Sequence, residues 1–288
     1  MRQIELLKKY ELKVRGVRGQ HLMIDENIQR KFVSEVNPKP GETILEIGPG
    51  LGAITELMLQ TGAKVIAIEH DPRFVEVLKG ELAGDYANLE IVKADILKIN
   101  LEKYVPKDGR LKVAGNIPYY ITSPIILFLI AFRKHIDTAH LTVQKEIADR
   151  IFAQPGSKAY GRLSLLVRFY SDARRAFEIS KNSFSPRPKV DSSVIELTFR
   201  DKLPFDIDEK VLFGLIKYGF GKRRKNILNA LTEGFAAGEG PELSKEKIKE
   251  LLKQADIKET IRAEALMLKD FIRLAEVFSK DAASDQLR

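Results

Sequence analysis

An alternation limits the fold more than any other feature of this chain. Short runs rich in β-branched residues lie at 42–48 (ETILEIG), 64–70 (KVIAIEH), 89–96 (LEIVKADI), 111–117 (LKVAGNI) and 139–145 (AHLTVQK). Between the first two, the apolar residues at 51, 54, 57 and 58 of LGAITELMLQTG recur at helical intervals, and Gly62 supplies a stop. Strand–helix–strand repetition predicts a parallel, doubly wound α/β sheet, because a parallel crossover needs a connection of about helix length. Two later runs, 173–180 (ARRAFEIS) and 192–200 (SSVIELTFR), stand close enough in sequence to pair antiparallel at an edge. From 201–210 (DKLPFDIDEK) onward the spacing turns helical, as in KEKIKELLKQADI, so a domain boundary is expected there, with 1–200 forming the sheet domain and 201–288 a small helical one. At 288 residues the chain can bury both cores.

The first strand runs into EIGPGLGAIT, which puts Gly48, Gly50 and Gly52 at the mouth of the first helix, where glycine lets backbone turn tightly and approach a ligand. Glu69 ends the second strand, at the position where a nucleotide-binding fold places a carboxylate for ribose hydroxyls. This loop fits two cofactor classes, a nicotinamide dinucleotide and S-adenosylmethionine. Asp95, at the end of the third strand, shifts the balance. Two carboxylates at one sheet edge oppose a pyrophosphate and suit a sulfonium cation, although Asp95 also reads as a helix N-cap.

The fourth strand runs into Asn116-Ile117-Pro118-Tyr119, beside the first strand and therefore where a transferred methyl would project. A purine's exocyclic amine is a poor nucleophile, because its lone pair is delocalised into the ring. An enzyme that methylates it must hold the amine with the lone pair aimed at the methyl group. The Asn116 side-chain oxygen and a carbonyl of the Ile117–Pro118 segment can each accept one N–H, with Pro118 keeping that carbonyl presented. Tyr119 offers a face for a flipped base, for which only the ring is needed. No general base is required, since the amine becomes acidic only as it is alkylated.

NIPYYITSPI, with EIGPGLGAIT, GQHLMID (19–25) and FSPRPKVDSSVI (184–195), resembles the ribosomal RNA adenine N6,N6-dimethyltransferases over about residues 10–230. The resemblance implies a Rossmann-like class I methyltransferase fold with a seven-stranded, mostly parallel sheet and a small C-terminal helical domain. It implies methyl transfer from S-adenosylmethionine to two adjacent adenines near the 3′ end of small-subunit rRNA. By resemblance His21, Met23, Gly48, Gly50, Glu69, Asp95, Ile96 and Asn116 would contact the cofactor, and Tyr119 and Phe184 would sandwich the adenine. One departure is visible: the family's usual Gln-Asn-Phe-Leu is Gln20-His21-Leu22-Met23 here. Two other readings stand beside this one: a related adenine methyltransferase acting on large-subunit rRNA or DNA, and a non-catalytic rRNA-binding assembly factor.

The net charge of +8 is clustered, with six lysines and arginines against two glutamates in the first twenty residues. Arg15 and Arg18, and Lys222, Arg223, Arg224 and Lys225 in KYGFGKRRKNIL, are the expected phosphate contacts on a pre-30S-type particle. The chain has no cysteine and no histidine pair at zinc spacing, so thiolate chemistry is excluded and no metal is expected. The longest apolar run, Ile125–Phe132, is too short to span a bilayer and the N-terminus has no apolar signal segment. A soluble, cytoplasmic, monomeric protein is expected.

Overall fold

The computed structural model describes residues 2–14, 20–203, 205–237 and 243–285. Their packing forms two units. The first contains residues 1–148 and 170–201, and the second 149–169 and 202–288. One boundary between the units falls between residues 201 and 202. The assignment of 149–169 differs from the expected division at 200, because this stretch is helical and packs with the C-terminal helices.

The first unit is built on a seven-stranded sheet in the order β4-β3-β2-β5-β6-β9-β7. The strands are β2 (Thr43–Ile47), β3 (Lys64–Glu69), β4 (Leu89–Lys93), β5 (Leu111–Asn116), β6 (Ile136–Gln144), β7 (Ser171–Ile179) and β9 (Ser192–Phe199). The first five pair in parallel, and β9 runs antiparallel between β6 and β7. The strand at 192 therefore lies inside the sheet, and the strand at 171 is the edge. Helices α3 (Ala53–Leu59), α4 (Pro72–Glu81) and α5 (Thr122–Ala131) connect parallel strands, α2 (Glu26–Val36) precedes β2, and α6 (Lys145–Phe152) leaves β6. β2 is buried along its whole length, as a central parallel strand covered on both faces must be.

A two-stranded ribbon has no counterpart in the sequence pattern. β1 (Leu22–Met23) pairs antiparallel with β8 (Phe184–Ser185), in the register Leu22 to Ser185 and Met23 to Phe184. Residues in register share a face, so the Met23 and Phe184 side chains point the same way, into a core that also holds Phe32, Ile54 and Val194. The N-terminal helix α1 (Arg2–Lys9) lies over the glycine loop. Its Leu6 packs with Leu51 of the loop, Leu22, Phe74 and Val77, and the Gln3 amide donates to the Leu51 carbonyl at 3.4 Å.

The second unit holds α7 (Arg162–Tyr170, to Phe169), α8 (Glu209–Gly219), α9 (Ile227–Ala236), α10 (Lys245–Gln254) and α11 (Leu268–Asp285). Asp208, Asn226 and Ser244 cap α8, α9 and α10 through side-chain oxygens. The core is stitched by aromatic pairs, with ring centroids 5.9 Å apart for Tyr160 and Phe220 and 6.0 Å for Phe220 and Phe271. Buried Tyr160 donates its hydroxyl to the Leu266 carbonyl at 2.9 Å, and burial pushes that phenol up to about 12.

Candidate active site

The parallel strands end together, and the site is made of the residues at and just beyond those ends. After β2 the chain turns through Gly48, Gly50 and Gly52, all at positive φ, before α3 begins. At two of these positions a side chain would also crowd a leucine methyl. A Cβ on Gly50 would sit 3.0 Å from Leu22 Cδ2, and one on Gly52 would sit 2.7 Å from Leu82 Cδ1. Glu69, at the end of β3, clasps the loop: Oε2 accepts the Gly50 N–H at 3.1 Å and Oε1 accepts the Asp71 N–H at 2.8 Å. Burial pushes this carboxyl upward against those hydrogen bonds. The carboxylate keeps acceptor capacity for a ligand beyond these backbone donors.

The expected residues His21, Met23, Gly48, Gly50, Glu69, Asn116 and Pro118 line one cavity of about 70 Å³. Asp95 and Ile96 stand outside that lining. Asp95 follows β4 at the same end of the sheet, and its Oδ1 caps the next turn by accepting the Leu97 N–H at 3.0 Å. Ile96 is buried behind it.

Asn116 ends β5 with its amide orientation fixed. Nδ2 donates to the His21 carbonyl at 2.7 Å, and since that partner can only accept, Oδ1 remains as the acceptor. The Pro118 carbonyl closes the next turn onto the Ile121 N–H at 3.2 Å, which leaves the Ile117 carbonyl as the backbone acceptor of the segment. Tyr119 is not a bare ring. Its hydroxyl lies 2.6 Å from Ser192 Oγ, a buried partner at the start of β9.

Phe184 is 2% exposed and packed in the core with Met23. The ribbon register is the cause, since pairing with Met23 turns the ring inward. A ring that faces Tyr119 is His21, with centroids 5.3 Å apart and planes 29° apart. Its Nδ1–H donates to the Pro186 carbonyl at 2.6 Å.

A second carboxyl in the cavity was missed. Glu46, in the middle of β2, is 1% exposed, and its Oε2 has no hydrogen bond among the described residues. Burial pushes it up to about 8, opposed by the nearby Thr55 hydroxyl and aided by the charge of Glu69. A single acidic residue inside the apolar run TILEI was the available signal. A folded carboxyl near 8 against an unfolded one near 4.5 means that the native state binds the extra proton between those values, so stability falls as pH rises through that window. Glu46→Gln, which is neutral throughout, should match wild type near pH 5 and melt several degrees higher at pH 8, at roughly 2–4 °C per kcal/mol. Melting curves at pH 5, 6.5 and 8 check this, and a difference that does not grow with pH refutes the assignment. Glu69 beside the glycine-walled cavity suits a ligand with ribose hydroxyls, while Glu46, protonated below about 8, adds no negative charge there near neutral pH.

Of the expected phosphate contacts, Arg15 and Arg18 lie outside the described residues. Lys222, Arg223, Arg224 and Lys225 are exposed on the segment between α8 and α9. Arg223 donates to the Lys158 and Tyr160 carbonyls at 2.7 and 2.8 Å, and Lys225 pairs with Glu233. Lys222 and Arg224 make no ion pair among the described residues. No cluster of metal-ligating side chains occurs among the described residues, and no helix there is long and apolar enough to cross a membrane.

Comparison with known proteins gives a consistent picture. The model of the family described as ribosomal RNA adenine dimethylase matches residues 12–273. A ribosomal RNA small subunit methyltransferase A of Alkaliphilus oremlandii is 37% identical over 280 residues, covering 96% of each chain. One from Clostridioides difficile is 38% identical over 286 residues, covering 97% of this chain and 96% of its own. Among solved structures, a dimethyladenosine transferase from Plasmodium falciparum superposes with a TM-score of 0.76 at 29% identity, over 91% of this chain and 98% of its own. The 23S rRNA methyltransferase ErmE superposes at 0.64 with 23% identity, over 90% of this chain and 99% of its own, a likeness of fold.

Proposed function

This chain belongs to the ribosomal RNA adenine dimethylase family, and from that premise we propose that it methylates N6 of two adjacent adenines near the 3′ end of small-subunit rRNA. The fold is the class I methyltransferase sheet, and the methyl donor is S-adenosylmethionine, which supplies an electrophilic methyl group when bound. The remaining acceptor capacity of Glu69 would take the ribose hydroxyls and Asp95 the adenine edge, with Gly48 and Gly50 giving backbone access and Met23 and Ile96 apolar contact. Asn116 Oδ1 and the Ile117 carbonyl would accept the two N–H groups of the target amine, drawing its nitrogen toward a tetrahedral shape. The Tyr119 ring would carry the flipped base.

The observation that carries this reading is the Asn116 side chain, whose Nδ2 is already spent on the His21 carbonyl so that an acceptor remains for the amine. The direct test is tritiated-methyl transfer to undermethylated small ribosomal subunits, followed by mapping of the labelled nucleotides. Label on two neighbouring adenines near the 3′ end supports the reading. Label on large-subunit rRNA, or none, refutes it in favour of a different methyltransferase or of a non-catalytic assembly factor. The substrate is proposed to be a pre-30S-type particle met by a monomer in the cytoplasm.

The RNA grip is proposed to include Lys222 and Arg224. Replacing both with Ala should reduce the slope of log affinity against log salt by roughly 0.7–0.9 per lost contact. Arg223→Ala should instead lower the melting temperature, because its guanidinium holds two backbone carbonyls. Filter binding between 50 and 300 mM salt, on the order of the range where such slopes are read, separates the two. An unchanged slope in the double variant removes these residues from the interface.

A further inference from the structure

His21 stands where the family pattern has asparagine, and it makes three contacts that nothing in the linear pattern announces. Its backbone carbonyl orients Asn116 at 2.7 Å. Its Nδ1–H is held by the Pro186 carbonyl at 2.6 Å, two residues past Phe184. Its ring lies on Tyr119 with 5.3 Å between centroids and 29° between planes. His21 is also among the residues that line the cavity of Gly48, Glu69 and Asn116.

A target base has to enter that same space. Its amine must reach Asn116 Oδ1 on the cavity side, and its ring must rest on Tyr119. We propose that the His21 imidazole is a placeholder for the target adenine, occupying the Tyr119 face in the RNA-free enzyme and leaving it when the base arrives. The inference rests on the function proposed above and adds a positioning residue to it.

The chemistry of the two rings supports the exchange. Imidazole and adenine are both flat, nitrogen-bearing aromatics, so one can replace the other on a tyrosine face with little loss of stacking. Displacing His21 breaks its hydrogen bond to Pro186, and that cost falls on any base that enters. A base delivered by a large RNA interface overcomes it through phosphate contacts made elsewhere, whereas a free nucleoside has no such source. The arrangement therefore selects against isolated adenines and keeps the Tyr119 face covered between substrates. His21 in this reading acts through Tyr119.

The test uses a short single-stranded RNA with 2-aminopurine at one target position, whose fluorescence falls when the base stacks, and the same RNA with that position abasic. His21→Ala and His21→Asn should each bind the 2-aminopurine probe roughly three- to thirty-fold more tightly than wild type, with quenching at least as deep. Affinity for the abasic RNA should stay as in wild type. A structural role would weaken binding, so a gain is diagnostic. Should His21→Ala melt below wild type, His21→Asn carries the comparison, since asparagine is polar and short. Unchanged or weaker 2-aminopurine binding in His21→Asn overturns the proposal. The function itself stands or falls separately, on methyl transfer by the wild-type enzyme to undermethylated subunits.

Discussion

Asn116→Ala is expected to slow single-turnover methyl transfer by about 30- to 1,000-fold while leaving affinity for the small subunit nearly unchanged. One positioned acceptor at a preorganised site is worth on the order of 2–4 kcal/mol in the transition state. RNA affinity is drawn from many phosphate contacts and should not follow. The variant removes Oδ1, which would hold the amine, and also the Nδ2 donor that ties the end of β5 to the His21 carbonyl. Asn116→Asp separates these roles, since it keeps an acceptor and loses the donor, setting a carboxylate against that carbonyl. It should be at least as slow. Rapid-quench rates on saturating undermethylated subunits give the comparison, and near wild-type rates in Asn116→Ala would refute the role assigned to the amide.

Tyr119→Ala should cost about 5- to 150-fold in the same assay, since base–aromatic stacking is worth roughly 1–3 kcal/mol. The sequence alone suggests that Tyr119→Phe is silent, because stacking needs only the ring. The structure changes that expectation. The hydroxyl lies 2.6 Å from Ser192 Oγ and aims the ring, and removing it strands a buried serine at a cost of roughly 1 kcal/mol. Tyr119→Phe should therefore be about fivefold slow, with Ser192→Ala falling in the same range. A Phe variant as impaired as the Ala variant would mean that the ring does not serve as a platform.

The parallel strands were legible in sequence because each is a β-branched run ended by a glycine or polar residue, and the residues at their ends could be named before any coordinates. Asn116, Glu69 and the glycines follow from that placement. The features that escaped depend on partners distant in the chain. β1 and β8 have two residues each, too few to show a period, and most of the sheet lies between them in sequence. The inward turn of Phe184 exists only through that pairing. Glu46 was hidden because a buried acid counts as a polar interruption until its surroundings are known. The helices at 149–169 carry an ordinary amphipathic pattern that does not say which core they join.

That last stretch bears on how the chain is made. Synthesis delivers 149–169 well before the helices they pack with, and their closing contacts come late: the Tyr160 hydroxyl reaches the Leu266 carbonyl, and the Gly156 N–H reaches that of Glu264 at 2.7 Å. The sheet is also finished out of order, since the strand that β7 pairs with among the described residues is β9, which is made after it. Neither unit can close as a simple N-terminal piece on the translating ribosome. A nascent chain stopped at residue 201 would hold a completed sheet and leave Leu165 and Phe169 without their core, a segment in need of a chaperone until the last helix emerges.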